Sequence, residues 1–340
     1  MSADIHPLSV DIVPEISAGE DSVYLNAYLA PFRPWLDCDT VTEIMVNRPG
    51  ELWIEDVNCP TMQRILVPEI NDRLIQRLAE QVARISHQGI NREHPLLGAM
   101  LPASNGKSGA RVQFCGPPAA RKNWAMSIRR HRRLDLSLDY YDTGPLSTYS
   151  NPIMPDPKKQ PIAFLRSAIE QRQSILISGG TSSGKTTFLN AMMAEISQHE
   201  RVILVEDTPE LKLPGANGVG LVAVKGELGE AKITANKLLQ ASLRLRPDRI
   251  ILGELRGEES VSFLRAINTG HPGSFSTIHA NNVNGALEQL ALMVMQTGIG
   301  LSRSDIISYI LSVINVFVQL GRDKNGNRTI QQIALSKDFT

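Results

Sequence analysis

The residues best equipped for chemistry lie in "GGTSSGKTT", where Gly184-Lys185-Thr186 follow Gly179 at the G-x-x-x-x-G-K-[ST] spacing. Glycines let backbone N–H groups converge on phosphate oxygens, and the start of a helix adds partial positive charge. A lysine here reaches β- and γ-phosphates, and a hydroxyl can bind Mg²⁺. Gly179, Gly180, Thr181, Ser182, Ser183, Gly184, Lys185, Thr186 and Thr187 are therefore the expected nucleotide-binding residues. A Gly/Ser-rich turn before an ordinary helix would share this composition, but the apolar run "SILI" before the loop and a helical pattern after it supply the required context.

Hydrolysis needs further groups to hold Mg²⁺ and orient a water, expected at the carboxyl ends of strands beside the loop strand. "RVILVEDTPEL" offers Glu206, Asp207 and Glu210, "DRIILGELRGEE" offers Glu254, and "GHPGSFSTIHANN" offers His271 and His279. Each acid alone reads equally as a loop charge or helix cap, and each histidine as a packed side chain. Their order after successive strands marks them as a set.

The elements that must position these groups fall into two parts. "TEIMVNRPGELWIE" predicts two strands around a turn. "EINDRLIQRLAEQVARISHQ" predicts a helix with Ile70, Leu74, Leu78, Val82 and Ile85 on one face, and "RVQFC" and "WAMSIRR" predict short strands. "YLNAYLAPFRPWL" has helical spacing broken by Pro31 and Pro34. After a Pro-, Gly- and Ser-rich stretch, strands and helices alternate from "IAFLRSAIEQRQ" through "SFSTIHA", predicting a mostly parallel sheet with crossover helices. "VINVFVQLGRDKNGNRTIQQIAL" closes the chain as a hairpin turning at Asn325-Gly326. The expected division is residues 1–22 as a loose tail, 23–140 as a smaller α+β N-terminal domain, 141–160 as linker and 161–340 as an α/β domain carrying the loop.

Composition excludes several classes. Of 340 residues 42% are hydrophobic and 21% charged, as in a globular protein with a sizeable core. Lys+Arg and Asp+Glu both number 35, so net charge gives no reason to expect a nucleic-acid binder. Cys38, Cys59 and Cys115 are too few and scattered for a disulfide framework or a zinc pair. No signal-peptide pattern opens the chain and no run approaches about 20 apolar residues, so any membrane contact is expected to be peripheral.

With "GGTSSGKTT", "VILVEDTPEL", "RPDRIILGELRGEE" and "GHPGSFSTIHANN" in that order, the chain resembles the hexameric secretion ATPases of bacterial type IV secretion and conjugation machines, relatives of type II secretion and type IV pilus motors. The resemblance implies a RecA-like P-loop domain, ATP and Mg²⁺ as cofactors, and a homohexamer. It also implies other ATPases and inner-membrane channel components as partners, at the cytoplasmic face of the bacterial inner membrane, without sequence-specific nucleic-acid binding. It implies that Lys185 and Thr186 grip phosphate and Mg²⁺, with Glu206 and Asp207 as further metal candidates. Glu254, Glu206 and Glu210 compete to orient the water, and His279 senses the γ-phosphate. Gly253 stands where an Asp is common in P-loop proteins, which shifts metal and water work toward Glu206, Asp207 and Glu210.

In that family N-terminal-domain arginines close over the nucleotide, and an inserted arginine can accelerate hydrolysis by about 10³ to 10⁵ in GTPases. By position the matching residues are Arg111 and Arg129. Strand alternation puts Ser127 and Arg129 on one face and Ile128 and Arg130 on the other, so at most one of the two arginines faces nucleotide. The run through Arg132 and Arg133 reads alternatively as a solvated face or nucleic-acid patch, and Arg244, Arg246 and Arg249 are subunit-interface candidates. A small-molecule kinase, a nucleic-acid motor and a nucleotide-gated scaffold are the competing readings. The first predicts a monomer with an acceptor pocket, and the second a basic excess or stacking platforms that the sequence lacks.

Overall fold

The computed structural model describes residues 21–102, 109–130, 137, 154–224 and 232–339. Most of the expected tail, the segment from His131 through Arg133 and residues 141–153 of the expected linker lie outside them.

The first unit begins with α1 (Asp21–Leu29), so the last two residues of the expected tail are helical. A short 3₁₀ turn and α2 (Arg33–Leu36) follow, with Pro31 and Pro34 at their starts, where a missing N–H costs nothing. Then come β1 (Val41–Val46), β2 (Glu51–Asp56), β3 (Gln63–Leu66), α3 (Asp72–Ile85), β4 (Leu96–Leu101), β5 (Ala110–Cys115) and β6 (Ala125–Arg130). They form an antiparallel sheet in the order β3-β2-β1-β6-β5-β4. Asn71 caps α3 by accepting from the Leu74 amide at 2.9 Å. Its buried face holds Ile75, Leu78, Ala79, Val82 and Ala83, while Leu74 and Ile85 pack at the rim.

The second unit runs α4 (Pro161–Glu170), β7 (Ile175–Gly179), α5 (Lys185–Ala194), β8 (Val202–Glu206), β9 (Gly218–Val222), α6 (Ala235–Ser242) and β10 (Arg249–Leu252). It continues with α7 (Glu259–Asn268), β11 (Phe275–Ile278), α8 (Val283–Gln296), α9 (Arg303–Val313), β12 (Val316–Arg322) and β13 (Arg328–Leu335). The sheet order is β13-β12-β7-β11-β10-β8-β9, parallel except for the terminal hairpin. Ile175 and Ile177 pack with α4 and α5 on one face, and Leu176 with α6 to α9 on the other. Burial on both faces explains the uninterrupted apolar runs.

One expectation changes here. The strands flanking β7 are β11 and β12, so β10 and β8, whose ends carry the acids, are its second and third neighbours. The chain returns through α7 to insert β11 between them, an order that periodicity does not encode. β12 joins the sheet next to β7, with Leu320 opposite Gly179.

The two units meet through a shared apolar cluster, in which Cys115, Ala119, Ala120 and Ala125 pack with second-unit residues such as Leu221 and Leu238, and through polar contacts. Arg201, fully buried, donates to Asn47 Oδ1 at 2.6 Å, Asn217 Oδ1 at 2.7 Å and Leu245 O at 2.8 Å. Arg246 bridges Glu55 of β2 and Asp248. Ala120 forms an antiparallel bridge with Leu221, so the loop before β6 covers the outer edge of β9. Among the described residues no helix is long and apolar enough to cross a membrane.

Candidate active site

β7, wholly buried, ends at Gly179 and leads directly into the phosphate loop, and α5 starts at Lys185. Gly184 has φ 90°, a conformation that favours glycine, and the Arg328 side chain passes over it, with Cδ 2.6 Å from where a Cβ would stand. Lys185 folds over its own loop: Nζ donates to Gly179 O at 2.9 Å and Gly180 O at 3.2 Å, and lies 3.3 Å from His279 Nδ1. Burial pulls the Lys185 pKa below the ordinary lysine value, against the opposing pull of Glu254.

Glu254, two residues beyond β10, and His279, directly after β11, are brought together: His279 Nε2 is 2.9 Å from Glu254 Oε1. An Nε2–H donated to Glu254 leaves the Nδ1 lone pair to accept from the Lys185 ammonium, whereas a protonated ring would set N–H against N–H. The other Glu254 oxygen accepts from Arg256 Nε and Nη2, both at 2.5 Å, and Arg256 Nη1 is 3.2 Å from Asp207 Oδ2. Hydrogen bonding to Glu254 pushes the Arg256 pKa further up. Glu259 Oε1 accepts the amides of Arg256 and Gly257 at 2.5 and 2.8 Å and so pins this loop. A continuous row Lys185–His279–Glu254–Arg256–Asp207 results. Sequence reasoning missed Arg256, though an arginine two residues after the acid was the available signal.

Glu206, expected as a competitor for the water and as a metal ligand, is buried and committed elsewhere. Its Oε1 accepts the amides of Glu210 at 2.9 Å and Leu211 at 2.8 Å, and the buried Oε2 is ion-paired to Arg121 Nη1 at 3.4 Å without a hydrogen bond. Arg121, from the first unit, also donates to Leu211 O at 2.7 Å. Glu206 therefore closes its own turn and ties it to the neighbouring unit. Glu210 is exposed, and its amide rather than its carboxylate enters this network. Gly253 sits against Glu206: a Cβ would lie 3.5 Å from Glu206 Cγ, so an Asp there would set a second carboxylate beside a buried one.

Arg111 and Arg129 face each other across β5 and β6. Arg129 Nε is 3.3 Å from Glu43, whose carboxyl is pushed up to about 7 by burial, against the opposing charge of Arg129. Arg130 takes the other face, donating to Cys38 O and to Val41 O at 2.7 Å. Among the described residues neither Arg111 nor Arg129 is hydrogen-bonded or ion-paired to the phosphate loop. His271 donates from Nδ1 to Pro247 O at 2.9 Å, and burial lowers its pKa. Arg249 is a core residue bound to Glu200 at 2.7 and 2.8 Å and to Ile169 O at 2.7 Å, which removes it from the interface candidates. Cys115 is buried with its thiol pushed up to about 12 by desolvation.

Thr186 is half-buried in the first turn of α5. Among the described residues no cluster of three His, Cys, Asp or Glu could hold a metal. Mg²⁺ bound through one hydroxyl, nucleotide phosphates and waters needs no such cluster, so this donor set suits it. On the loop's other flank, Arg322 Nη2 donates to Ser182 O at 3.1 Å and Arg328 Nη1 to Thr187 Oγ1 at 3.4 Å. Sequence reasoning found this hairpin but not its docking beside β7.

Residues 27–333 match the family described as Type II/IV secretion system protein. The type IV secretion system protein VirB11 of Bartonella henselae is 34% identical over 348 residues, covering 95% of this chain and 93% of that one. PtlH of Bordetella pertussis, also described as a type IV secretion system protein, is 37% identical over 301 residues, with 82% and 84% covered. The crystal structure of the VirB11 ATPase from the Brucella suis type IV secretion system superposes with a TM-score of 0.83 at 31% identity, over 94% of this chain and 96% of that one.

Proposed function

The chain belongs to the type II/IV secretion system protein family, and from that membership and the loop geometry we propose that it is a Mg²⁺-dependent ATPase of a type IV secretion apparatus. The observation that carries the reading is the hydrogen-bonded row joining Lys185 through His279 to Glu254. ATP would lie along the amides of residues 179–187, and its β- and γ-phosphates would draw the Lys185 ammonium from the loop carbonyls that it now meets. Thr186 would hold Mg²⁺, which when bound would supply charge neutralisation at those phosphates. Glu254 orients the attacking water, because it is linked through His279 to Lys185 at the loop and is partly exposed, whereas Glu206 is buried with one oxygen taken by two amides of its own turn. A phosphate that draws Lys185 away from Nδ1 frees the His279 ring, and that displacement reports occupancy through Glu254 and Arg256 to Asp207.

The domains are residues 23–140 and 161–340, joined by a linker over 141–160. The working form is a homohexamer bound peripherally at the cytoplasmic face of the inner membrane, alongside other ATPases and membrane components of the channel. Arg111 and Arg129 serve the site only after the first unit moves, since here they pair with each other's strand and with Glu43. Glu254→Gln tests the assignment. ATP should bind within about threefold of wild type, with kcat down by about 10² or more, the span of acid–base contributions. Retained turnover would move the role to another acid.

A further inference from the structure

Two arginines from the far end of the chain reach the phosphate loop on the side opposite His279. β12 runs parallel to β7 and continues past its end, so Arg322 and Arg328, direct partners across the hairpin, stand beside the loop. Arg322 fastens the hairpin there: Nη2 donates to Ser182 O at 3.1 Å and Nη1 to Gly326 O at 3.0 Å in the turn. Arg328 crosses Gly184, with Cδ 2.6 Å from where a Cβ would stand, and donates to Thr187 Oγ1 at 3.4 Å. Its guanidinium is exposed.

The two ends of the loop thus carry different cations. Lys185 lies between β7 and β11, where it touches His279, and this is the end for β- and γ-phosphates. Arg328 lies on the β12 side, at Thr187 in the first turn of α5. A polyphosphate laid along the loop from Lys185 ends at Arg328, at its α-phosphate and nucleoside. A guanidinium suits both, since its fork matches phosphate oxygens and its face stacks on a purine.

Resting on the ATPase reading above, we propose that Arg328 is a binding residue for the α-phosphate and nucleoside of the nucleotide, held in place by Arg322. The site then recognises a nucleoside polyphosphate rather than any phosphate chain.

The test measures, on the full chain with Mg²⁺, dissociation constants of ATP, ADP and inorganic pyrophosphate for wild type, Arg328→Ala and Arg328→Lys, with melting curves alongside. Arg328→Ala should weaken ATP and ADP about tenfold or more, as loss of a charge-assisted contact does, and change pyrophosphate less than about twofold, with the lysine variant between. Equal losses for all three ligands would mean that Arg328 only braces the loop and would overturn the proposal, as would unchanged ATP affinity. If the alanine variant does not fold, the lysine variant decides by the same ratio of ATP to pyrophosphate affinity. Wild type that binds pyrophosphate but no nucleotide would overturn the ATPase reading as well.

Discussion

Replacing Glu206 with alanine removes the acceptor for two amides, the part-buried one of Glu210 and the buried one of Leu211, and leaves Arg121 without its carboxylate at 3.4 Å. Hydrogen bonds to a charged group contribute about 1.5–3 kcal/mol each. The partly exposed Arg121 pair adds at most about 1 kcal/mol. The expected loss is therefore about 3–7 kcal/mol. For a unit the size of residues 154–339, each kcal/mol moves Tm by about 2–4 °C, so the variant should melt at least about 6 °C below wild type. Glu206→Gln keeps one oxygen for the two amides, and should recover most of that stability and at least about a third of the ATPase rate. Differential scanning calorimetry and a phosphate-release assay on the same preparations read both. Glu206→Gln with a wild-type Tm and a rate down a hundredfold or more would refute this reasoning, because it would place the carboxylate in the chemistry rather than in the turn.

Glu43 imposes a pH dependence. Its carboxyl titrates at about 7 in the folded chain against 4.5 ordinarily, so the stability it contributes is complete below pH 4.5 and is lost as pH rises through 7. The shift corresponds to about 3 kcal/mol; Glu43→Gln should therefore gain on wild type in urea midpoint between pH 5 and pH 8, and an unchanged difference would contradict the burial account. Arg246→Ala removes the partly buried bridge from Asp248 to Glu55, and should raise hydrogen exchange in residues 41–56 while ATP affinity stays within about twofold of wild type.

The phosphate loop was legible because its chemistry is local: glycines, lysine and hydroxyl must be adjacent to wrap one phosphate chain. The doubly covered sheet was legible for a similar reason, since burial on both faces writes continuous apolar runs such as "RVILVE" into the strands. Three strands escaped notice. β3 is four residues at an exposed edge, β4 holds Gly98 within an unpatterned apolar run, and β9 carries Gly218 and Gly220. The role of Glu206 was hidden because its partners are amides, which every residue has, so nothing in the sequence marks Glu210 and Leu211 as donors to it. Arg121 and Arg328 act through contacts set by strand order and turn shape, and an arginine far from any motif looks the same whether it is solvated or docked, whereas Arg256 stood two residues after Glu254 and could have been found.

The most direct test of the account is the ATPase rate per chain against protein concentration, with the mass distribution recorded on the same samples. A rate that rises in step with the hexamer is the expected result, since the proposed working form is a homohexamer. Full turnover at concentrations where only single chains are present would contradict it.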